Sequence, residues 1–427
     1  MKLRSSYQLP AVKNVMAAFE DHQRVLLVSP TGSGKSVMGA HVVKRMRGVR
    51  CLWVAHRIEL LRQARAELIA AGIPERYVGI MSGTDKENAG ARVMVCSIEM
   101  AKRAEPEAFG LVVVDEAHRA EARSYKAVVE AQGCKLLGLT ATPWRLDGRS
   151  LGETFEHMVV AGTPTQLEVD GFVARPVTYG VPQEKAKELV AGLSGGGGDY
   201  SAAELAKRMG TRRLLGDVVD ETQRIAADRR TIVFAVDRKH GKALAARFRR
   251  CGRSVAYLDG ETPAIQRSKI IDGLASGEVD IIVNVDVLTE GFDCPPVQCV
   301  SIARPTKSLT RFLQYCGRAS RPWGDERPLI LDHGGNCWRF GLPNDDRDWT
   351  LDRGKKKPPT PDVKQCANVE CGAMIPLGCK ECPECGEEQP RTPHEQRELE
   401  EKEAELVRLR ENERKKFIAR ERFTKRV

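Results

Sequence analysis

At 427 residues and 41% apolar content, the chain has material for two or three cores, and no run approaches the roughly 18 apolar residues that a membrane span needs. The amino end, "MKLRSSYQLP", lacks the apolar segment of a secretory leader, which reads as an untargeted, soluble, cytoplasmic protein rather than a membrane or exported one. A formal net charge of +10 argues for an anionic partner, nucleic acid above all.

In chain order, the runs "RVLLVS" from Arg24, "CLWVA" from Cys51, "RVMVCS" from Arg92, "LVVVDE" from Leu111 and "LLGLTAT" from Leu136 are continuously apolar and of strand length. Such runs fit strands buried on both faces of a parallel sheet. Between them lie amphipathic stretches such as "HRIELLRQARAELIAA". The scheme recurs in "TIVFAV", "SVAYLDG", "DIIVNV", "QCVSIAR" and "PLILDH", so the fold class is α/β, with two doubly wound parallel-sheet domains in tandem. The expected organisation is a first domain over 1–155, a linker or mobile segment over 156–200 that contains "GLSGGGGDYS", and a second domain over 201–349. A basic, proline-rich spacer follows over 350–362, then a cysteine-rich module over 363–389 and a charged helical tail over 390–427.

The segment "RVLLVSPTGSGKSVMGA" reads as strand, glycine loop and helix start. Backbone N–H groups from Thr31, Gly32, Ser33, Gly34, Lys35 and Ser36 can wrap a phosphate chain there, with Lys35 reaching the outer phosphates and Ser36 holding Mg²⁺. Ser29 stands where the strict pattern has glycine. A buried strand ending in acids is costly unless a cation or water uses them. In "LVVVDEAH", Asp115 therefore completes the Mg²⁺ site and Glu116 polarises the attacking water.

Taken in order, "SPTGSGKS", "HRIELLRQ", "DEAH", "TATP", "LTEGFD" and "QYCGRASR" resemble the motifs of superfamily 2 helicases, and among these the RadD-like bacterial and phage helicases that carry a cysteine-rich tail. The resemblance spans nearly all of residues 1–335. It implies two RecA-like domains with ATP in the cleft between them, and it implies that Gln314, Arg318 and Arg321 reach the γ-phosphate from the second domain. Guanidinium suits that task, being always charged and able to fork onto phosphate oxygens. It further implies that Gln8 reads adenine, that Asp293 lies near the ribose with Gly291 in the same motif, and that Thr140 and Thr142 couple hydrolysis to movement. A nucleic-acid strand would contact Arg57, Ser97, Gly260 and Thr289 through phosphates and sugars. His118 takes a hydrogen-bonding, coupling role rather than that of a metal ligand.

Five of the 13 cysteines crowd into "KQCANVECGAMIPLGCKECPECGEEQ". Cys366, Cys371, Cys382 and Cys385 form two knuckles that suit a tetrahedral, structural Zn²⁺ in a segment with too little apolar material to fold otherwise. Cys379 also makes a C-x-x-C with Cys382, so spacing leaves the ligand choice open. The functional expectation is an ATP-dependent helicase or translocase, acting on DNA in replication, repair or recombination. The alternatives are a double-strand translocase or restriction-type motor subunit, and an ATP-gated nucleic-acid scaffold whose ribbon or tail recruits a protein partner.

Overall fold

The computed structural model describes residues 2–390, apart from 84–85, 89, 102, 104–107, 121–124, 126–127, 129, 131–132, 197, 290–296, 325 and 353–361. Gly291, Asp293 and the tail from 391 onward lie outside the described residues.

Eight strands form the first sheet among the described residues: β1 Arg24–Val28, β2 Cys51–Ala55, β3 Val78–Met81, β4 Lys86–Glu87, β5 Val93–Ser97, β6 Leu111–Asp115, β7 Lys135–Thr140 and β8 His157–Val160, in the order 4-3-5-2-6-7-1-8. All pair in parallel except β4, which runs against β3. Alternation along β1 shows why the apolar runs are unbroken. Val25 and Leu27 enter a core shared with the helices α1 Gln8–Asp21, α2 Lys35–Arg45 and α3 Ile58–Ala70, whereas Leu26 and Val28 enter a second core on the opposite face. Side chains alternate across a strand, so a strand covered on both faces can use apolar residues throughout.

The segment expected to be a linker is structured. Strand β8 extends the first sheet beside β1, and β9 Val177–Gly180 is the edge strand of the second sheet. The glycine run forms a short hairpin, β10 Gly195–Gly196 with β11 Asp199–Tyr200. It is anchored rather than loose: the Asp199 carboxylate accepts from Thr306 Oγ1 at 3.0 Å, Lys307 N at 2.9 Å and Arg311 Nη1 at 3.1 Å. Gly198, at φ +90°, lets the hairpin approach the first lobe, where a Cβ would lie 2.3 Å from Asp147 Cα. Only glycine tolerates both conditions.

The second sheet adds β12 Thr231–Phe234, β13 Val255–Leu258, β14 Ile281–Asn284, β15 Cys299–Ile302 and β16 Leu329–Asp332, all parallel, in the order 13-14-12-15-16-9. Its carboxyl-terminal extension then returns to the first lobe. Asp346 accepts from Thr165 N at 3.0 Å, Trp349 meets Trp144 edge-on at 5.3 Å, and Leu351 packs on the first-lobe core. Both lobes belong to one compact unit that ends at Pro361.

The second unit begins at Asp362. Its antiparallel pair, β17 Val363–Gln365 with β18 Met374–Pro376, buries Val363, Ala373, Met374 and Ile375, a small core. Among the described residues, no helix is long and apolar enough to cross a membrane.

Candidate active site at the seam between two lobes

The phosphate cradle follows β1. Gly32 and Gly34 take φ of +86° and +82°, which turns the loop tightly onto the start of α2. The departure from glycine at Ser29 has a local cause: its buried hydroxyl donates to Ala161 O at 2.6 Å and meets Ser33 Oγ at 2.7 Å, tying the loop to the chain beyond β8. Lys35 Nζ donates to the carbonyls of Ser29 and Pro30, both at 3.2 Å, and so lies folded over the loop. Burial pulls its pKa down, while Glu116 and Asp115 hold it up.

Opposite the cradle, β6 ends at Asp115, whose Oδ2 accepts from Ser36 Oγ at 3.4 Å. Glu116 follows in a left-handed conformation, φ +55°, rare for a residue with a side chain. Burial raises the Asp115 carboxyl to about 7, reinforced by Glu116 and Glu67 and opposed by Lys35. Carboxylates gathered round one lysine and a hydroxyl make a donor set of hard oxygens, which suits Mg²⁺ and which such a cation would stabilise.

The second lobe closes this space. The helix Leu309–Cys316 and the turn Gly317–Ala319 bring Arg318 and Arg321 to line the same cleft, of ≈ 410 Å³, as Gly32, Lys35, Asp115 and Glu116. That volume falls within the roughly 300–1,000 Å³ usual for small-molecule sites. Contact across the seam is close: Ser320 Oγ donates to Thr31 O at 3.3 Å, and a Cβ on Gly317 would meet Thr31 Cβ at 2.5 Å. A chain of polar groups also crosses it. His118 Nδ1 lies 3.2 Å from Glu116 Oε2, and its Nε2 lies 3.3 Å from Gln314 Nε2.

A second cross-lobe contact starts from β7. Thr140 O accepts from Ser29 N at 3.1 Å, and Thr140 Oγ1 donates to Thr142 O at 2.7 Å. Thr142 Oγ1 then meets Thr310 Oγ1 of the second lobe at 2.8 Å, and Thr310 donates to Trp144 O at 3.0 Å. Cradle, threonine segment and second lobe are thereby linked in sequence.

Among the residues assigned to nucleic acid, Arg57 and Thr289 come together: Arg57 Nη2 and Thr289 Oγ1 both donate to Asp286 O, at 3.1 and 3.3 Å. Ser97 ends β5 and Gly260 follows β13 in an open turn. Gln8 is buried against the cradle, its amide donating to Ser33 O at 2.9 Å and its oxygen accepting from Arg4 N at 3.0 Å.

Three cleft residues escape the motif reading. Arg4 stacks its guanidinium on the Phe172 ring, 3.8 Å from the centroid, forming a flat wall beside Gln8. Glu67, on α3, lines the cleft with Gln63, whose amide donates to it at 2.9 Å. Burial pushes the Glu67 carboxyl up, while Gln63, Arg321 and Ser36 pull it down. The available signal for Glu67 was its helical partner four residues earlier, two polar groups flanking the apolar stripe of Leu60, Leu61, Ala64 and Leu68.

The family described as type III restriction enzyme, res subunit, matches residues 1–145, and the helicase conserved C-terminal domain matches residues 212–322. A "51.5 kDa protein" of a Lactococcus phage is 30% identical over 92% of this chain and 85% of its own. The chain is a superfamily 2 helicase. The helicase is also 25% identical to "DNA 3'-5' helicase XPB" of Kineococcus radiotolerans, over 75% of this chain and 57% of that protein, so it spans little more than half of that relative. In fold it is similar to the "ATP-dependent Type ISP restriction-modification enzyme LlaBIII bound to DNA", with a TM-score of 0.57 at 18% identity over 78% of this chain and 28% of that one. As a helicase of this superfamily it hydrolyses ATP and uses Mg²⁺ with the nucleotide.

In the second unit, the thiols of Cys366, Cys371, Cys382 and Cys385 lie within 4.8 Å of one another. Two of their separations are 3.6 Å (Cys366 to Cys385) and 3.9 Å (Cys371 to Cys382). Zn–S bonds of about 2.3 Å in tetrahedral geometry place sulfurs about 3.8 Å apart, so these four fit the ion. Cys379 is outside the group, and its carbonyl accepts from Lys364 Nζ at 2.7 Å.

Proposed function

We propose that this helicase is a DNA-directed motor that hydrolyses ATP at the seam between its lobes and tracks along DNA as the seam opens and closes. The observation that carries this reading is the shared cleft, in which the cradle and carboxylates of one lobe face Arg318 and Arg321 of the other. Lys35 holds the outer phosphates, and Ser36 with Asp115 holds Mg²⁺, which would offset phosphate charge. Glu116 takes up the proton side of water attack, oriented by His118, and Arg318 and Arg321 receive the charge that develops on the γ-phosphoryl group. Gln8, with the Arg4–Phe172 wall, takes the adenine. Because His118 touches both Glu116 and Gln314, the water-polarising carboxylate is set only when the second lobe is in place.

DNA is favoured by the net charge of +10 and by a relative described as a DNA helicase. Arg57 and Thr289, meeting at Asp286, mark where the strand crosses from lobe to lobe, with Ser97 and Gly260 further along it. Zn²⁺ on the four cysteines shapes the second unit. ATPase rates with single-stranded, duplex and forked DNA and with RNA test the reading: DNA stimulates turnover, and Glu116→Gln abolishes it while ATP still binds. Stimulation by RNA alone, or turnover that survives Glu116→Gln, contradicts it.

The match of residues 1–145 to restriction res subunits favours one second reading, a motor that moves on intact duplex. Triplex displacement without strand separation on forks selects that reading.

A further inference from the structure

The carboxylate of Asp199 does more than fasten its hairpin. It lies, largely buried, between two cations of the second lobe, Arg311 Nη1 at 3.1 Å and Arg304 Nη2 at 3.9 Å. Arg304, itself buried, donates from Nη1 to both carboxylate oxygens of Asp286, each at 3.1 Å. Four charges of alternating sign therefore stand in a row, Asp286, Arg304, Asp199 and Arg311. At one end, Asp286 adopts a left-handed backbone, φ +54°, and its carbonyl and that of Val287 accept from Arg57 of the first lobe. Thr289 Oγ1 reaches the same Asp286 carbonyl. At the other end, Asp199 accepts from Thr306 Oγ1 and Lys307 N as well as from Arg311, which fixes both the approach to the helix Leu309–Cys316 and its first turn. One turn beyond Arg311, Gln314 meets His118, and its carbonyl accepts from Arg318 Nε at 3.3 Å.

We propose that Asp199 is a positioning residue that ties the segment at Asp286 to the helix leading to Arg318 and Arg321, so that strand contact at Arg57 sets those arginines for hydrolysis. This role rests on the reading of the chain as a DNA-directed motor. Buried ion pairs contribute little net stability, because desolvation offsets most of their attraction, but they can fix the register of the segments they join. Here the joined segments are the one that holds Arg57 and the one that carries Gln314. A chain of contacts is not by itself a coupling, which needs an element that both sites bias. The hairpin is such an element: its Gly198 abuts Asp147 of the first lobe, so its position is bound to that of the seam.

Asp199→Asn keeps the shape and an acceptor for Lys307 N while removing the charge. The test measures the ATPase kcat of the full chain without DNA and with saturating forked DNA, and the Kd for fluorescein-labelled forked DNA, in the parent, Asp199→Asn, Arg57→Ala and the double variant. In Asp199→Asn, DNA-saturated kcat should fall about tenfold, with basal kcat, the KM for ATP and the Kd for DNA unchanged. In the Arg57→Ala background the same substitution should cost nothing more, since the row then has no strand contact to transmit. A further loss in that background would detach Asp199 from Arg57. Equal loss of basal and DNA-saturated turnover would reduce Asp199 to a support of the helix, and weaker DNA binding at unchanged saturated kcat would make it part of the strand site; each of these overturns the coupling. Stimulation in the parent that survives intact in Asp199→Asn overturns it alone, whereas a parent that DNA does not stimulate overturns the motor reading and this role with it. Should Asp199→Asn melt below the parent, Arg311→Gln, which breaks the row at its partly exposed end, carries the same expectations.

Discussion

The first lobe presents a loop of backbone N–H groups, a lysine, a hydroxyl and two adjacent carboxylates, all within residues 29–116. From the second lobe, Arg318 and Arg321 line the cleft and Gln314 meets His118. In the mechanism we propose, binding and chemistry are divided between two similar parallel sheets. A phosphate cradle needs only a strand, a turn and a helix start, so one lobe can build it. Charge that develops in the transition state has to be met by groups that arrive with closure, and placing those on a second body makes hydrolysis report on the position of that body.

Arg318→Ala is the strongest way to break this division. Turnover should fall about 10³- to 10⁵-fold, the range associated with an arginine finger, while binding of ADP to the first lobe persists. Steady-state ATPase and nucleotide titration check both halves, and equal loss of the two would erase the distinction between lobes.

Acid should separate the lobes next. His240 is buried in the second lobe at the start of the helix Arg238–Arg250, where its Nδ1 accepts from Val236 N at 3.1 Å. Burial lowers its pKa to about 4, against Asp237, which raises it. The unfolded imidazole takes its proton near pH 6.5 and the folded one only near 4, so this group's contribution is present above the unfolded value and is lost as pH falls between the two. The loss amounts to roughly 3 kcal/mol. Asp332, raised to about 6 by burial, runs the other way in the same lobe, so the difference between the parent and His240→Gln isolates the histidine. Denaturant unfolding at pH 4.5 and 7 should show that difference shrinking in acid.

Thr310→Val is the mildest of the three. It removes a hydroxyl that touches Thr142 and Trp144 across the seam while keeping volume. The cost is about 1 kcal/mol, and the stimulation of ATPase by DNA should fall roughly fivefold with basal turnover little changed. Unaltered stimulation would take the threonine segment out of the coupling path.

Much of this could be read before the fold was known. The apolar runs beginning at Arg24 and Thr231 mark central strands because burial on both faces leaves no other choice of side chain. Strands β8 and β9 could not be read that way. His157–Val160 is half exposed and Val177–Gly180 is a sheet edge, and each is defined by pairing with a strand 129 or more residues away. The glycine run looked like a loose linker because nothing local shows that Asp199 will be gripped by residues 306–311. Within the site, residues embedded in short motifs were legible, since each motif carries its chemistry in consecutive positions. Arg4, Phe172 and Glu67 were not, because their roles arise only where separate elements converge. Spacing leaves Cys379 open as a ligand, and the thiol positions place it outside the cluster.

In the proposed mechanism, guanidinium groups from the second lobe read the terminal phosphate bound to the first. Its most direct test is the ratio of dissociation constants for a non-hydrolysable triphosphate and for ADP, with Mg²⁺ present, in the parent chain and in Arg318→Ala/Arg321→Ala. The parent should prefer triphosphate clearly, and the double variant should show a ratio near one. A preference that survives the loss of both arginines would contradict it.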